Sequence, residues 1–275
     1  MPLERAISVL EILVLTAYAG AFVVLLARYR GAGLAVFSGG WVANACIVAV
    51  NWIVGGHPPF GNMYHVMVFL GLCFLPLYLL LRYRHGLGWL HAYFALASVV
   101  AMVGALSIGL TRGRGIVWQR MPALQSPWFV PHVVSYMISY ALATVAFVLT
   151  MTGVFKGWKR EGDDAPTPPA ESGKSAYAQS SYTVLRIALP FMTFGLLSGA
   201  LWAEEAWGRY WSWDPKETWS LITWTLYMIY LHCRRSPRLR HRARIAQILA
   251  FAALLTTFLL VNLLPRLSSV LHSYV

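Results

Sequence analysis

The sequence has few charged residues and few cysteines, and each shortage excludes a class of protein. Only 12% of its 275 residues are charged and 58% are hydrophobic, a balance too apolar for an ordinary soluble domain. The three cysteines, Cys46, Cys73 and Cys233, show no C-x-x-C spacing, so neither a disulfide framework nor a zinc site is expected. The composition therefore favours a protein that folds in a membrane.

Long apolar runs predict the fold class. A helix needs about 20 residues to cross the hydrocarbon core of a bilayer, and eight runs of about this length or longer occur. They predict an all-α, polytopic bundle of about eight transmembrane helices rather than a barrel, whose strands would be shorter and would alternate in polarity. The eight runs are Ala6–Ala27, Leu34–Val54, Met63–Leu81, Leu87–Leu110, Trp128–Phe155, Thr183–Ala203, Pro215–Cys233 and Ile245–Leu264.

The net charge of +12 is distributed as a topology signal rather than as a nucleic-acid surface. Fourteen lysines and arginines fall in every second predicted loop, and seven fall in the alternate segments. Positive loops face the cytoplasm, so both termini are expected outside. No binding to nucleic acid is expected.

One hydrophilic stretch divides the chain. Residues 156–182 mix proline, glycine, serine and charge, as flexible linkers do. We expect residues 1–155 to form helices one to five, residues 156–182 to form a cytoplasmic linker, and residues 183–275 to form helices six to eight with an external loop and tail.

Tryptophan is concentrated in the segment WAEEAWGRYWSWDPKETWSLITW, which holds six of the twelve tryptophans. Single tryptophans often anchor at membrane interfaces, but six together suit a large planar ligand such as a porphyrin. Arg209 and Lys216 would add positive charge for its carboxylates. Asp214 reads first as a helix N-cap, since proline and Glu217 follow at capping-box positions. The six tryptophans are Trp202, Trp207, Trp211, Trp213, Trp219 and Trp224.

Histidines supply candidate iron ligands, because haem iron is commonly held by imidazole. His132, at the outer mouth of the fifth helix, and His272, in the tail, are both predicted to lie outside, where the two could bracket one iron. His232 is about 25 Å along the seventh helix from its start, near the inner interface, with His91 or a partner subunit as its possible second ligand. His57 and His65 flank a turn, where either could line the outer site or simply form part of the turn.

The tryptophan segment WGRYWSWDPKETWSLITW closely resembles the signature of the haem-handling cytochrome c biogenesis proteins known as CcsA or ResC. The resemblance extends to PALQSPWFVPH, to the YLH of the seventh helix and to NLLPRLSSVLHSY. It implies that His132 and His272 are external ligands of haem iron, and that His232 is a transmembrane ligand. One departure is visible: His65 stands where the family usually has glutamate.

The resemblance further implies a subunit of a holocytochrome c synthase. Such a protein receives or transports haem b and presents it outside the bacterial cytoplasmic membrane, where thioether bonds form to the CxxCH motif of apocytochrome c, together with a CcsB or ResB partner subunit. The haem-binding residues would be the three histidines with Trp202, Trp207, Trp211, Trp213, Trp219, Arg209 and Asp214. Two alternatives stay open, a haem exporter or chaperone that forms no thioethers, and a transporter of an unrelated substrate.

Overall fold

A computed structural model describes the backbone of residues 2–116, 121–161 and 172–260, and the side chains of residues 3–116, 121–156 and 176–259. All regular structure in these ranges is helical, which confirms the predicted all-α class. The eight long helices are α1 Pro2–Leu26, α2 Arg30–Gly55, α3 Met63–His85, α4 His91–Arg112, α5 Phe129–Glu161, α6 Ser172–Trp207, α7 Pro215–Arg235 and α8 Ala243–Leu255.

Each predicted run overlaps one of these helices, and residues 261–264 of the last run lie outside the described residues. The described part of the chain contains seven helices long and apolar enough to cross a membrane. The exception is α7, which has 21 residues but begins with Lys216 and Glu217 and is rich in threonine, tyrosine and tryptophan. The prediction of a polytopic helical membrane bundle is confirmed, with α7 as its least apolar member.

The linker predicted at 156–182 is shorter in the structure. Helix α5 continues to Glu161 and α6 already begins at Ser172. The physical reason is composition, since alanine, lysine, glutamine and arginine at the two ends of the stretch are good helix formers. Residues 162–171 lie outside the described part of the chain.

The central helix pair is α5 and α6, which have the most extensive contact in the bundle. Small side chains permit this close approach: Ala141, Ala143 and Ala146 of α5 are fully buried. Helices α1 with α2, α3 with α4 and α7 with α8 form further neighbouring pairs. The alternating directions of the helices bring the turn after α2, the segment before α5 and the loop between α6 and α7 to one end.

We call this the outer end, because the charge pattern predicts that it faces outside. A second, smaller apolar core lies there, formed by Phe60, Leu124, Phe129 and Trp202. It is separate from the main core of the bundle. The outer end therefore has its own packed frame, which fixes the loops around the candidate site.

Candidate functional site

A cavity of about 930 Å³, counted to its opening, lies at the outer end between α3, α5, α6 and α7. The walls are mainly apolar and aromatic, with a few polar groups. The residues on which the chemistry depends are His132, Tyr136, Tyr140, Trp202, Tyr210, Trp211, Lys216 and Glu217.

His132 lies in the first turn of α5 and its half-buried imidazole lines the cavity. Its Nδ1 is 2.8 Å from the backbone carbonyl oxygen of Gly195 on α6. A carbonyl can only accept, so Nδ1 carries the proton and the lone pair of the neutral ring is on Nε2. Hydrogen bonds of this kind fix the tautomer and orientation of metal-ligating histidines. The backbone of α6 thus prepares His132 to ligate a metal through Nε2.

Two glycines of α6 make room for this arrangement. A Cβ atom at Gly199 would lie 2.6 Å from both Cε1 and Nδ1 of His132, and a Cβ atom at Gly195 would lie 3.0 Å from the ring of Tyr136. The two glycines are four residues apart, the spacing typical of close helix contacts in membranes. Their G-x-x-x-G spacing is visible in the sequence, but their role depends on contact between two helices.

Trp202 and Trp207 form part of the packed frame. Trp202 is 3% exposed, and its Nε1–H donates to the carbonyl of Ala123 at 2.6 Å. Its ring lies 5.5 Å from that of His132, centroid to centroid, and 4.9 Å from that of Trp207. Trp202 lines the cavity, but Trp207 does not. These two indoles support the histidine and the outer core.

Trp211 and Lys216 present polar groups to the cavity. The Nε1–H of Trp211 is buried, with no hydrogen-bond acceptor among the described residues, which is a costly state for a donor. Lys216 lies in the first turn of α7, ahead of its apolar part, and burial lowers the pKa of its ammonium group to about 8, while Asp214 acts in the opposite direction. An indole N–H and an ammonium group together suit a carboxylate ligand.

Asp214 has the capping role that its sequence pattern indicates. Its Oδ1 accepts a hydrogen bond from the backbone N–H of Glu217 at 2.8 Å, and the side chain of Glu217 accepts from the backbone N–H of Asp214. Glu217 also accepts from the backbone N–H of Ser212 at 2.7 Å. This capping box fixes the exit of the tryptophan loop into α7, so Asp214 shapes the site without lining the cavity.

Several residues predicted at the site stand apart from the cavity. Arg209 is exposed, and Trp213 is 69% exposed with a left-handed φ of 59°. Trp219 lies in the second turn of α7, also off the cavity wall. His57 and His65 do not line the cavity either; His65 is 2% exposed in the first turn of α3. His272 lies outside the described residues.

His232 occupies a second, shallower site. It lies on an open groove of about 1050 Å³ between the inner halves of α6 and α7, and its Nδ1 is 2.8 Å from the carbonyl oxygen of Met228. His91, by contrast, is buried, with Nδ1 2.9 Å from the carbonyl oxygen of Gly88. His91 is not part of the groove, so the structure does not bring the two histidines together at one site.

The inner wall of the cavity includes residues that the sequence analysis did not select. Helix α8 continues as a π-helix over Thr256–Leu260, and Thr257 and Phe258 of this segment line the cavity. π-Helical turns occur frequently at functional sites. Met63 and Val66 of α3 and Met137 of α5 complete the apolar surface. No local sequence signal distinguishes these residues from ordinary core.

Comparison with known proteins gives one consistent result. Residues 60–268 match the family model described as cytochrome C assembly protein. Relatives named cytochrome c biogenesis protein CcsA include one from Synechococcus elongatus, 32% identical with 85% of each chain covered, and one from Mesostigma viride, 31% identical with 84% of this chain and 81% of the relative covered. A relative of the same name from Chlamydomonas reinhardtii is 37% identical over 68% of this chain, and the match spans 53% of that longer protein. The matched region contains every residue named above as lining the cavity.

Proposed function

Since the chain belongs to the cytochrome c assembly protein family and has a role in cytochrome c maturation, we propose that it holds haem in the outer cavity and presents it for attachment to apocytochrome c. The observation that carries this proposal is the orientation of His132 on the cavity wall. Its Nδ1–H donates to the carbonyl of Gly195 at 2.8 Å, which places the lone pair of the neutral ring on Nε2, the nitrogen that would ligate iron.

The rest of the cavity suits a porphyrin. Trp202, Tyr136 and Tyr210 supply aromatic surface for a planar macrocycle, and the buried N–H of Trp211 with the ammonium group of Lys216 supplies donors for propionate carboxylates. This proposal gives the tryptophans different roles, whereas the resemblance implies that five of the six, all except Trp224, bind the cofactor. In the proposal, Trp211 and Trp202 contact the ligand, while Asp214 positions the groups around it.

His272 remains the proposed second ligand. The described chain reaches the cavity wall at Phe258, and His272 follows fourteen residues later. An extended chain of that length spans up to about 45–50 Å, so the tail is long enough to return to the cavity. Ligation of one iron by His132 and His272 would leave the vinyl edge of the porphyrin open to apocytochrome c.

The chemistry at the cavity would be mostly positioning. A thioether forms when a cysteine S–H adds across a haem vinyl group, and the apocytochrome brings both its thiols and its own histidine. Besides three tyrosines, the ionisable residues on the described cavity wall are His132, Lys216 and Glu217, and the Glu217 carboxylate is engaged in the capping box. We therefore assign the chain orientation and ligation of haem, in complex with a CcsB- or ResB-type subunit.

His232 would hold haem on its way to the outer cavity. The groove on which it lies opens between α6 and α7 on the inner side of the bundle. We propose that a partner subunit, rather than His91, supplies the other ligand there, because His91 is buried away from this groove. The membrane would be a bacterial cytoplasmic membrane with the cavity facing outwards, as the loop charges predict.

The test is an absorption spectrum of the purified protein, oxidised and reduced, beside His132→Ala and His272→Ala variants. A bis-histidine spectrum in the wild type that is altered in both variants is the expected result. His91→Ala, at a buried histidine outside both sites, is the matched control and should keep the spectrum. Unchanged spectra in His132→Ala would remove this residue as a ligand.

A haem exporter or chaperone that forms no thioethers is the second candidate. It is favoured by the state of Glu217, since this carboxylate of the described cavity wall is already engaged in the capping box of α7. Co-expression of the chain and its partner with an apocytochrome separates the two functions. Holocytochrome that depends on His132 supports the synthase role, whereas haem bound to the chain without any covalent product supports the exporter.

A further inference from the structure

The groove that holds His232 has an unusual set of cations at its inner end. Arg186 lies within the apolar span of α6, is exposed, and lines the groove together with Arg235 of α7. Charged side chains inside transmembrane segments are rare, because they are costly to place in hydrocarbon. Arg186 therefore calls for an explanation beyond packing.

Arg186 and a third arginine, Arg234 of α7, lie beside one aromatic ring. The guanidinium group of Arg186 lies 5.5 Å from the centroid of the Tyr182 ring, and that of Arg234 lies 5.6 Å from the same centroid. Both contacts are within the range of cation–π attraction, so Tyr182 holds two positive groups in place beside the groove.

No described carboxylate pairs with this cluster. Neither Arg186, Arg234 nor Arg235 forms a salt bridge within the described residues, and the Nε of Arg234 is buried there without an acceptor. Three neighbouring cations repel one another, and an anion in the groove would relieve that repulsion as well as accept their hydrogen bonds. The cluster is thus built to receive a ligand with negative charge.

The groove itself defines the rest of that ligand. Its remaining walls are apolar, from Leu189, Pro190, Phe194 and Leu197 of α6 and Leu231 of α7. Pro190 has no backbone N–H, so the carbonyl of Arg186, four residues earlier, lacks its usual helical donor next to the cations. A matching ligand has a broad apolar body and carboxylates at one edge.

We infer that Arg186 and Arg235 form a carboxylate seat that orients a porphyrin in this groove, with its propionates toward the inner end and its iron at His232. The inference rests on the proposed function, in which His232 is an iron ligand. The Nδ1 of His232 faces the carbonyl of Met228, which leaves Nε2 as the ligating nitrogen, as at His132. The seat makes entry of haem directional, since only one edge of the macrocycle carries carboxylates.

The test compares haem with haem dimethyl ester, whose carboxylates are blocked, in nanodiscs of zwitterionic lipid. His132→Ala protein is used so that the outer cavity does not dominate the binding signal. We expect haem to bind about tenfold more tightly than its ester. Arg186→Gln and Arg235→Gln should each reduce that ratio towards one, and Arg84→Gln, an exposed arginine at the end of α3 outside the groove, should leave it unchanged.

The outcomes separate the inference from the proposed function. Binding that depends on His232 with an ester ratio unaffected by Arg186→Gln would overturn the carboxylate seat and leave the inner haem site standing. Haem binding that does not depend on His232 would overturn both the carboxylate seat and the inner haem site. A ratio near one in all variants, with an effect of Arg186→Gln only when anionic lipid is added, would assign the cluster to phospholipid headgroups instead.

Discussion

Replacing Gly199 with alanine adds one methyl group beside the proposed iron ligand. The new Cβ atom would lie 2.6 Å from Cε1 and from Nδ1 of His132. Carbon atoms in favourable contact are about 3.5–4.0 Å apart, so the imidazole or helix α6 must move by about 1 Å. The hydrogen bond from Nδ1 to Gly195, 2.8 Å long in the structure, would be stretched or lost.

A shift of this size is large for a metal ligand. Distances between metals and their ligands are held within about 0.2 Å, and disturbing the groups that orient a ligand commonly costs about tenfold to a hundredfold in affinity. We expect Gly199→Ala to weaken haem binding at the outer cavity by this factor, equivalent to about 1.4–2.7 kcal/mol. The spectrum of the remaining bound haem should also change, because one axial ligand is displaced.

The measurement is a haem titration followed by absorbance, with the wild type, Gly199→Ala, His132→Ala and the double variant. Gly39→Ala is the matched control, since a Cβ atom at Gly39 on α2 would meet nothing within 4 Å. Added imidazole should restore binding in Gly199→Ala and His132→Ala alike, because it can take the position of the displaced ring. The double variant should bind no more weakly than His132→Ala alone.

The last comparison decides whether Gly199 acts through His132. A methyl group that harms the bundle generally would lower haem binding further in the double variant, since the two effects would then add. Wild-type affinity and spectrum in Gly199→Ala, together with loss of haem in His132→Ala, would show that the packing between α5 and α6 is more adaptable than the geometry implies. Either result would refute the positioning argument.

Three further predictions concern Lys216 on the cavity wall, the capping residue Asp214, and the ion pair between Arg114 and Glu11. Burial lowers the pKa of Lys216 to about 8, so a carboxylate that binds there above that pH must first have the amine protonated, and haem affinity should fall by up to about tenfold per pH unit beyond 8. Lys216→Arg, which stays charged, should remove this fall in a haem titration between about pH 7.5 and 9.5. A wild-type affinity that does not change with pH would exclude Lys216 from the site. Asp214→Ala removes the N-cap of α7 and should lower the stability by about 0.5–2 kcal/mol, measured by thermal unfolding in detergent. Asp214→Asn, which can still cap the helix, should keep most of the wild-type stability. Equal losses of stability in both variants would contradict a capping role. Arg114 makes a bidentate ion pair with the buried Glu11 of α1, with contacts of 2.8 and 3.0 Å. Arg114→Gln should destabilise the protein by about 3–5 kcal/mol because it leaves the Glu11 carboxylate buried without its partner, and adding Glu11→Gln should recover part of this loss. A double variant as unstable as the sum of the two single variants would mean that the two groups act independently.

The helices could be predicted from the sequence because the bilayer fixes their length and composition. Each run of about 20 apolar residues corresponds to one helix, and the D-P-K-E pattern marks the first residue of α7 correctly. The ends of α5 and α6 were wrong, because prolines and glycines between them suggested a linker while the adjoining residues favour helix. Local propensity decides such boundaries, and the hydrophobic pattern does not contain that information.

The site was harder to predict, because its wall comes from five separate parts of the chain. His132 was selected as a histidine at the outer mouth of α5, and the structure places it on the cavity wall. The role of Gly199 depends on contact between two helices, and that of Thr257 and Phe258 depends on a π-helical continuation of α8. Neither feature follows from periodicity within a single helix, so sequence reasoning finds the ligand more readily than the groups that position it.

The tryptophan segment illustrates the same limit in one motif. Six tryptophans within 23 residues suggest a single role, but their N–H groups have different partners: Trp202 donates to Ala123, Trp224 donates to Thr193 at 2.9 Å, and Trp211 alone of these three has a buried donor without an acceptor in the described chain. A ligand carboxylate can satisfy only the last of them. Replacing Trp211 with phenylalanine should therefore weaken haem binding while leaving the fold intact, whereas the same change at Trp224 should affect stability first.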